Sequence, residues 1–372
     1  MQVKINKRSA YAPIRYEATR PYAVAFSKTY MNQARQGEQA RRAFVQSLPP
    51  RLEAAISKFG VANGPGPLQS EIVNIQVFGA YHEAGRVIFD IAPGLTSSLA
   101  LTDADAIPCG ELPLPGAAFY IHFGTSSGLF ADGYEVEGAF VHHAEEKLMV
   151  DLVPRAWGSQ HFFALPMGEP VVGVSVDMSD PAKTITDALT DSIRSIMEAN
   201  ASMFAQIAEV EAKLTAQYGE VIKVPTPVER LDDKEPLLKK ALGLIVNVLF
   251  FLAAEPGDIV DAWGRDTPRE PLDALSSTVM PGRVKSIENS LLKAGYRKVR
   301  FVGRTFADSV ASRAIHEAID TGRTLATHFR RGHFKRQPYG PERSLRKTIF
   351  VAPVVVNAGK GDDQSGRIYD VR

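Results

Sequence analysis

Seven cations in residues 327–347, Arg330, Arg331, Lys335, Arg336, Arg343, Arg346 and Lys347, are interleaved with the rings of Phe329, Phe334 and Tyr339. Cations neutralise phosphates while flat rings stack on unpaired bases, the two requirements of a single-stranded nucleic-acid surface. Arg330, Arg331, Lys335, Arg336, Tyr339, Arg343, Arg346 and Lys347 are therefore the candidate RNA contacts. The competing reading is a strand whose Phe329 and Phe334 pack inward and whose arginines are merely solvated. Two histidines, His328 and His333, stand in the same stretch. Beside arginines, imidazoles can act as acid and base in metal-free phosphodiester cleavage, with a cation such as Arg331 stabilising the charged transition state. In an extended chain His328 and Arg330 share one face and Arg331, His333 and Lys335 the other. The five-residue spacing does not by itself bring the imidazoles together, although Gly332 could kink the chain between them.

Elsewhere the chemistry is sparse. His142 and His143 precede Glu145 and Glu146, but neighbours on a strand point to opposite faces and do not chelate one metal. His82, His122, His161 and His316 are isolated. The single cysteine, Cys109, has no local histidine, excludes a disulfide framework, and suits a reducing compartment such as the cytoplasm. The glycines of residues 60–66 lack the Gly-Lys-Ser/Thr ending of a phosphate loop and the dinucleotide spacing. No Gly-x-Ser-x-Gly elbow accompanies an acid and a histidine in hydrolase order. No cofactor and no metal are expected.

The charge is segregated. The chain has 43 Lys plus Arg and 42 Asp plus Glu. Residues 283–347 hold 16 basic against 5 acidic side chains, leaving 27 against 37 in the remainder. Such asymmetry marks an anion-binding surface, most often for nucleic acid, or else a solvated basic face without a ligand.

The 372 residues suffice for two domains or one large one, with apolar and charged shares of 45% and 23% that are ordinary for globular chains. The longest apolar stretch, 241–254, falls short of the roughly 18 residues of a membrane span and is expected to be a buried core helix. No export signal follows the early Lys4, Lys7 and Arg8.

Residues 34–59 have a helical composition with an expected break at Pro49 and Pro50, and 60–67 are turn-rich. Short β-branched and aromatic runs at 72–78, 86–91, 117–123, 134–141, 147–153 and 171–178 predict strands. Their succession without long intervening helices argues for an antiparallel sheet. Ile185, Leu189, Ile193, Ile196, Met203, Ile207, Val210 and Leu214 form one helical stripe starting near Pro181 and stopping at Gly219. Pro225, Pro227 and the charged run 229–235 read as a connection, 237–254 as an apolar helix, and 256–269 as polar chain. Beyond it, 286–294 and 305–321 predict helices, 298–302 a half-buried strand, and 348–356 a β segment in which Pro353 suits an edge or bulge. The tail 358–372 is expected to be mobile. The expected architecture is α+β, with a mostly antiparallel sheet. Its regions are a helical N-terminus plus sheet over 1–180, long central helices over 181–255, and a basic α/β part over 256–357.

Over 331–357 the order Arg-Gly-His-Phe-Lys-Arg-Gln-Pro-Tyr-Gly-Pro, then Ser-Leu-Arg-Lys, then Val-Ala-Pro-Val-Val-Val-Asn resembles the type V-A anti-CRISPR family of phages and plasmids, whose founding member lowers production of the CRISPR effector nuclease. The resemblance implies a regulator from a mobile genetic element. Such a regulator recognises the N-terminal nascent peptide of the effector during translation and promotes loss of its mRNA. The basic segment 323–347 would then contact RNA or the ribosome, with no membrane and no DNA as partners. An exposed strand edge or a groove between helices would serve the peptide. The resemblance supplies no catalytic residues, so a metal-independent, toxin-like ribonuclease using His328 and His333, and a non-catalytic phage or plasmid structural protein, remain the alternatives.

Overall fold

The computed structural model describes residues 9–19, 21–59, 65–104, 106–125, 127–131, 133–155, 172–221, 232–304, 328–330, 332–351 and 354–356. Four helices come first: α1 (Ala12–Thr19), α2 (Pro21–Gln36), α3 (Glu38–Phe59) and α4 (Pro65–Glu83). Strand β1 (Ile88–Ile91) and helix α5 (Pro93–Ala100) lead to β2 (Ala118–His122), β3 (Phe130–Ala131), β4 (Tyr134–Ala144), β5 (Lys147–Arg155) and β6 (Val172–Asp177). Two long helices, α6 (Ile185–Tyr218) and α7 (Glu235–Ala254), precede β7 (Ile259–Trp263), the α8 (Arg269–Ser277) and α9 (Pro281–Lys293) pair, and β8 (Lys298–Val302). The chain then gives β9 (His328–Arg330), β10 (His333–Tyr339), β11 (Leu345–Val351) and β12 (Val354–Val356).

The fold is α+β. Its principal sheet has the order β6-β5-β4-β2-β1-β8-β7, with β3 on β4, and is antiparallel except where β1 pairs in parallel with both β2 and β8. Side chains alternate across the strands, and both faces are covered. Phe89, Phe119, Ile121, Val141, Val150 and Val174 face α5, α6 and α7, while Ile88, Tyr120, Phe140 and Val299 face α1 to α4.

Three differences from the sequence expectation have physical causes. Residues 72–78 lie in α4 and not in a strand. Ile72, Ile75, Phe78 and Tyr81 recur every third residue, and this buried stripe outweighs their β-branched and aromatic character. Helix α3 runs through Pro49 and Pro50, with Leu48 and Leu52 fully buried on one face to either side, so tertiary burial overrides the proline penalty. The polar stretch after Pro256 contains β7, which pairs antiparallel with β8. The expected helix 305–321, most of the 222–235 connection and the tail 358–372 lie outside the described residues.

Helix α6 begins at Thr184, whose hydroxyl accepts from the Asp187 amide at 3.1 Å, and ends at Gly219 in the left-handed region at φ 73. Helix α7 is apolar nearly all round because it is covered on nearly every side. It alone among the described helices is long and apolar enough to cross a membrane, and 72% of that stretch is buried inside the protein. The buried amide of Asn247 ties α7 to the end of α5, because its Nδ2 donates to the Leu99 and Thr102 carbonyls at 3.0 and 2.8 Å. Asn247→Ala takes the side-chain donor from the Thr102 carbonyl and leaves the Leu99 carbonyl its bond from the Thr102 amide at 3.1 Å; it should lower the urea-unfolding free energy by about 1–3 kcal/mol without changing the slope.

Candidate functional site

The basic segment is folded as a ribbon. β10 and β11 pair antiparallel from His333↔Val351 to Tyr339↔Leu345, and β9 and β12 pair from His328↔Val356 to Arg330↔Val354. Stepping from Arg330 to His333 and from Val354 to Val351 takes three residues on each strand. The two pairings therefore share one register.

The ribbon lies on α7 through rings. The centroids of Phe334 and Phe350, register partners, are 5.2 Å apart. Phe334 stands 5.4 Å from Phe250, and Phe350 lies edge-on to Phe251 at 5.5 Å. Alternation along β10 then turns His333, Lys335, Gln337 and Tyr339 away from α7. Lys335, Gln337 and Tyr339 are exposed, Tyr339 at 49%, and His333 is half-buried. The turn after them, Gly340 to Ser344, is exposed where described, with Gly340 at φ 79 and Glu342 at φ 52.

Phe334 thus packs inward, while Lys335 and Tyr339 are presented together on one outer face. Arg330 lies in β9, Arg336 in β10, Arg343 in the turn, and Arg346 and Lys347 in β11, with side chains outside the described part; Arg331 and the side chain of Phe329 lie outside it as well. His328 and His333 fall on successive strands, β9 and β10.

A second concentration of chemistry was not legible in the sequence. Where the parallel strands β1 and β2 end, a row of polar side chains lies between the sheet and the N-terminal helices, buried except for Arg265, whose side chain is 46% exposed. Tyr11 Oη donates to Asp90 Oδ2 at 2.7 Å and accepts from the Arg265 amide at 3.2 Å. The Arg265 guanidinium grips both Asp90 oxygens, Nε to Oδ2 at 2.7 Å and Nη2 to Oδ1 at 2.8 Å. Arg15 pairs with Glu137, both buried, and donates to the Ser9 and Ala10 carbonyls at 2.9 Å. Burial pushes the Asp90 and Glu137 carboxyls upward, and the hydrogen bonds and the arginines oppose it. The His122 ring stands edge-on to Tyr11 at 5.1 Å, and burial, reinforced by the nearby arginines, depresses its pKa to about 3, so it is neutral near pH 7. Gly138 leaves the space that the Tyr120 hydroxyl fills; a Cβ there would overlap it. With both carboxylates engaged by guanidinium groups, the row works as a latch between α1 and the sheet.

His142 and His143 are half-buried on β4, and among the described residues no three potential ligands gather to hold a metal. Cys109 is buried and its thiol is raised by burial.

Among the described residues, Asp151 on the same sheet face has no cation to offset its burial. Asp151 on β5 lies beside Gly173, where a Cβ would overlap its carboxylate, and burial lifts it from the ordinary 3.8 to about 7. The folded state therefore holds this proton more tightly than the unfolded chain does. Its contribution to stability is complete below about pH 4 and is lost as pH rises through about 7. Asp151→Asn should flatten the fall in stability across that window, read from denaturant midpoints at several pH values. A slope equal to wild type would contradict the assignment.

A sequence profile of the AcrVA2-like family, described as the anti-CRISPR type V subtype A2 family, matches residues 89–358. The matched span holds the principal sheet from β1 onward, α5 to α9 and the whole ribbon. Among solved structures the chain is similar to one described as "Crystal structure of AcrVA2", at 15% identity over 92% of this chain and 98% of that one, with a TM-score of 0.46. No curated protein matches.

Proposed function

Because the chain belongs to the AcrVA2-like anti-CRISPR type V subtype A2 family, we propose that it acts in the bacterial cytoplasm as a regulator from a mobile genetic element. In this reading it recognises the N-terminal nascent peptide of the CRISPR effector and promotes loss of the effector's mRNA, with the ribbon contacting RNA or the ribosome. The observation that carries the RNA part is the outer face of β10. Lys335 and Tyr339 stand exposed two steps apart on the same side of a strand whose opposite side is fastened to α7. A cation and a ring on one edge can engage a phosphate and an adjacent base at once. Arg330, Arg336, Arg343, Arg346 and Lys347 add charge along the same ribbon, and Arg331 adds another in the sequence between β9 and β10.

The test is binding and integrity of a labelled single-stranded RNA at low and physiological salt. Wild type should bind with an affinity that falls as salt rises. Lys335→Ala should reduce the salt slope by about 0.7 per lost phosphate contact, and Tyr339→Ala should cost about 1–3 kcal/mol at both salts. The RNA should stay intact, since loss of mRNA is assigned to host nucleases. Absence of salt-dependent binding would sink the RNA reading. Cleavage that disappears in a His328→Ala, His333→Ala variant would replace it with the ribonuclease. The peptide part is checked separately, by capture of ribosomes stalled on the first residues of a type V-A effector; equal capture of ribosomes bearing an unrelated chain would refute it.

A further inference from the structure

The ribbon is a thin, two-stranded element, and a two-stranded hairpin is at best marginally stable in water unless something packs against it. Here α7 supplies the packing. Phe334 and Phe350 are paired across the strands and lie on the rings of Phe250 and Phe251, consecutive residues near the α7 C-terminus. The two helix rings differ in their surroundings. Phe251 is 1% exposed and belongs to the main core, whereas Phe250 is half-buried at its margin and meets Phe334. Side chains alternate along a strand, so whichever residues the helix holds inward decide which are turned outward. Capture of Phe334 turns Lys335 and Tyr339 outward, while a one-residue slip would exchange the two faces.

We infer that Phe250 and Phe334 are positioning residues for RNA: their ring contact, backed by Phe350 on Phe251, sets the register and facing with which the ribbon presents Lys335 and Tyr339. This inference rests on the RNA reading of the ribbon. It goes beyond that reading by placing the determinant of binding on α7, at a residue pointed away from the presented face. Ring pairs of this kind stabilise beyond their buried area, enough to change the ordered fraction of a marginal hairpin several-fold.

The experiment compares wild type, Phe250→Ala, Phe250→Leu and Phe334→Ala by two readouts on the full chain. One is single-stranded RNA affinity at two salt concentrations; the other is amide hydrogen exchange resolved by segment. Phe250→Ala should weaken RNA binding at least fivefold and lower its salt slope. It should also speed exchange in β10 and β11 while β1, β2 and β8 stay as protected as in wild type. Phe250→Leu should restore much of both, and Phe334→Ala should reproduce the alanine phenotype from the ribbon side if Phe250→Ala does not fold. Wild-type affinity and salt slope in a folded Phe250→Ala would overturn the inference, as would loss of RNA binding with unchanged ribbon exchange. If wild type itself fails to bind RNA, the RNA reading falls, and with it the RNA-positioning role. Exchange then decides only whether the rings hold the ribbon.

Discussion

The burial of α7 on nearly all sides is the constraint on which most of this structure depends. Its twenty residues include twelve buried ones, so the helix must be enclosed by other elements. The sheet and α5 enclose one part, α6 another, and the paired phenylalanines of the ribbon a third. A helix of this composition left uncovered would expose a large apolar surface to water. The hydrophobic effect that builds the third layer therefore also fastens the basic ribbon to it. In this way an apolar requirement in the core fixes the direction in which a charged surface looks. Asn247 adds specificity: two hydrogen bonds to carbonyls at and just beyond the end of α5 select one rotation of the helix from the several that its largely apolar surface would tolerate.

The opposite face of the sheet follows a different logic. Where α1 meets the ends of β1, β2 and β4, the interface is polar, and its stability depends on the pairing of its buried charges. Asp90 sits between Tyr11 and Arg265, and Glu137 sits against Arg15. Removing Arg265, or either member of the Arg15–Glu137 pair, would leave a buried charge uncompensated, which is far more costly than never having placed it there. Such pairs select one docking of the N-terminal helices over other apolar registers. Gly264 belongs to the same device, because a Cβ at that position would come within 2.7 Å of the Tyr11 ring.

What could be read from the sequence depended on how local the determining interactions are. The stripe from Ile185 to Leu214 and the stop at Gly219 are written in consecutive turns of one helix, and α6 follows them closely. Strands β4 and β5 carry their pattern and the turn between them within a few residues of each other, and β4, β5 and β6 formed as expected. The parallel placement of β1 between β2 and β8 was not legible, since β8 arrives some two hundred residues after β1 and nothing in either strand names the other. The polar row is hidden for the same reason. Tyr11, Asp90 and Arg265 are separated by 79 and 175 positions, and His122, visible only as an isolated histidine, gains its neutral state from burial that no spacing reveals. The basic segment was the reverse case, with composition evident and orientation absent, because the phenylalanines of the ribbon take their meaning from α7.

The span matched by the family profile separates these two interfaces. It begins at Phe89 and ends at Ala358, so it contains α7, its covering sheet face and the ribbon as one unit. It also contains Asp90, Glu137 and Arg265, but not Tyr11 or Arg15, which close the polar row from the N-terminal side. The part of the chain that carries the family signature is therefore the part in which the ribbon and its platform are physically coupled. A surface for RNA requires charge, rings and a fixed presentation together. Charge and rings can be supplied by a short segment alone, but fixed presentation requires a rigid body beneath it, and the body beneath this ribbon is α7. The ribbon and α7 thus form one structural unit although the rings that join them are some eighty to one hundred residues apart in sequence.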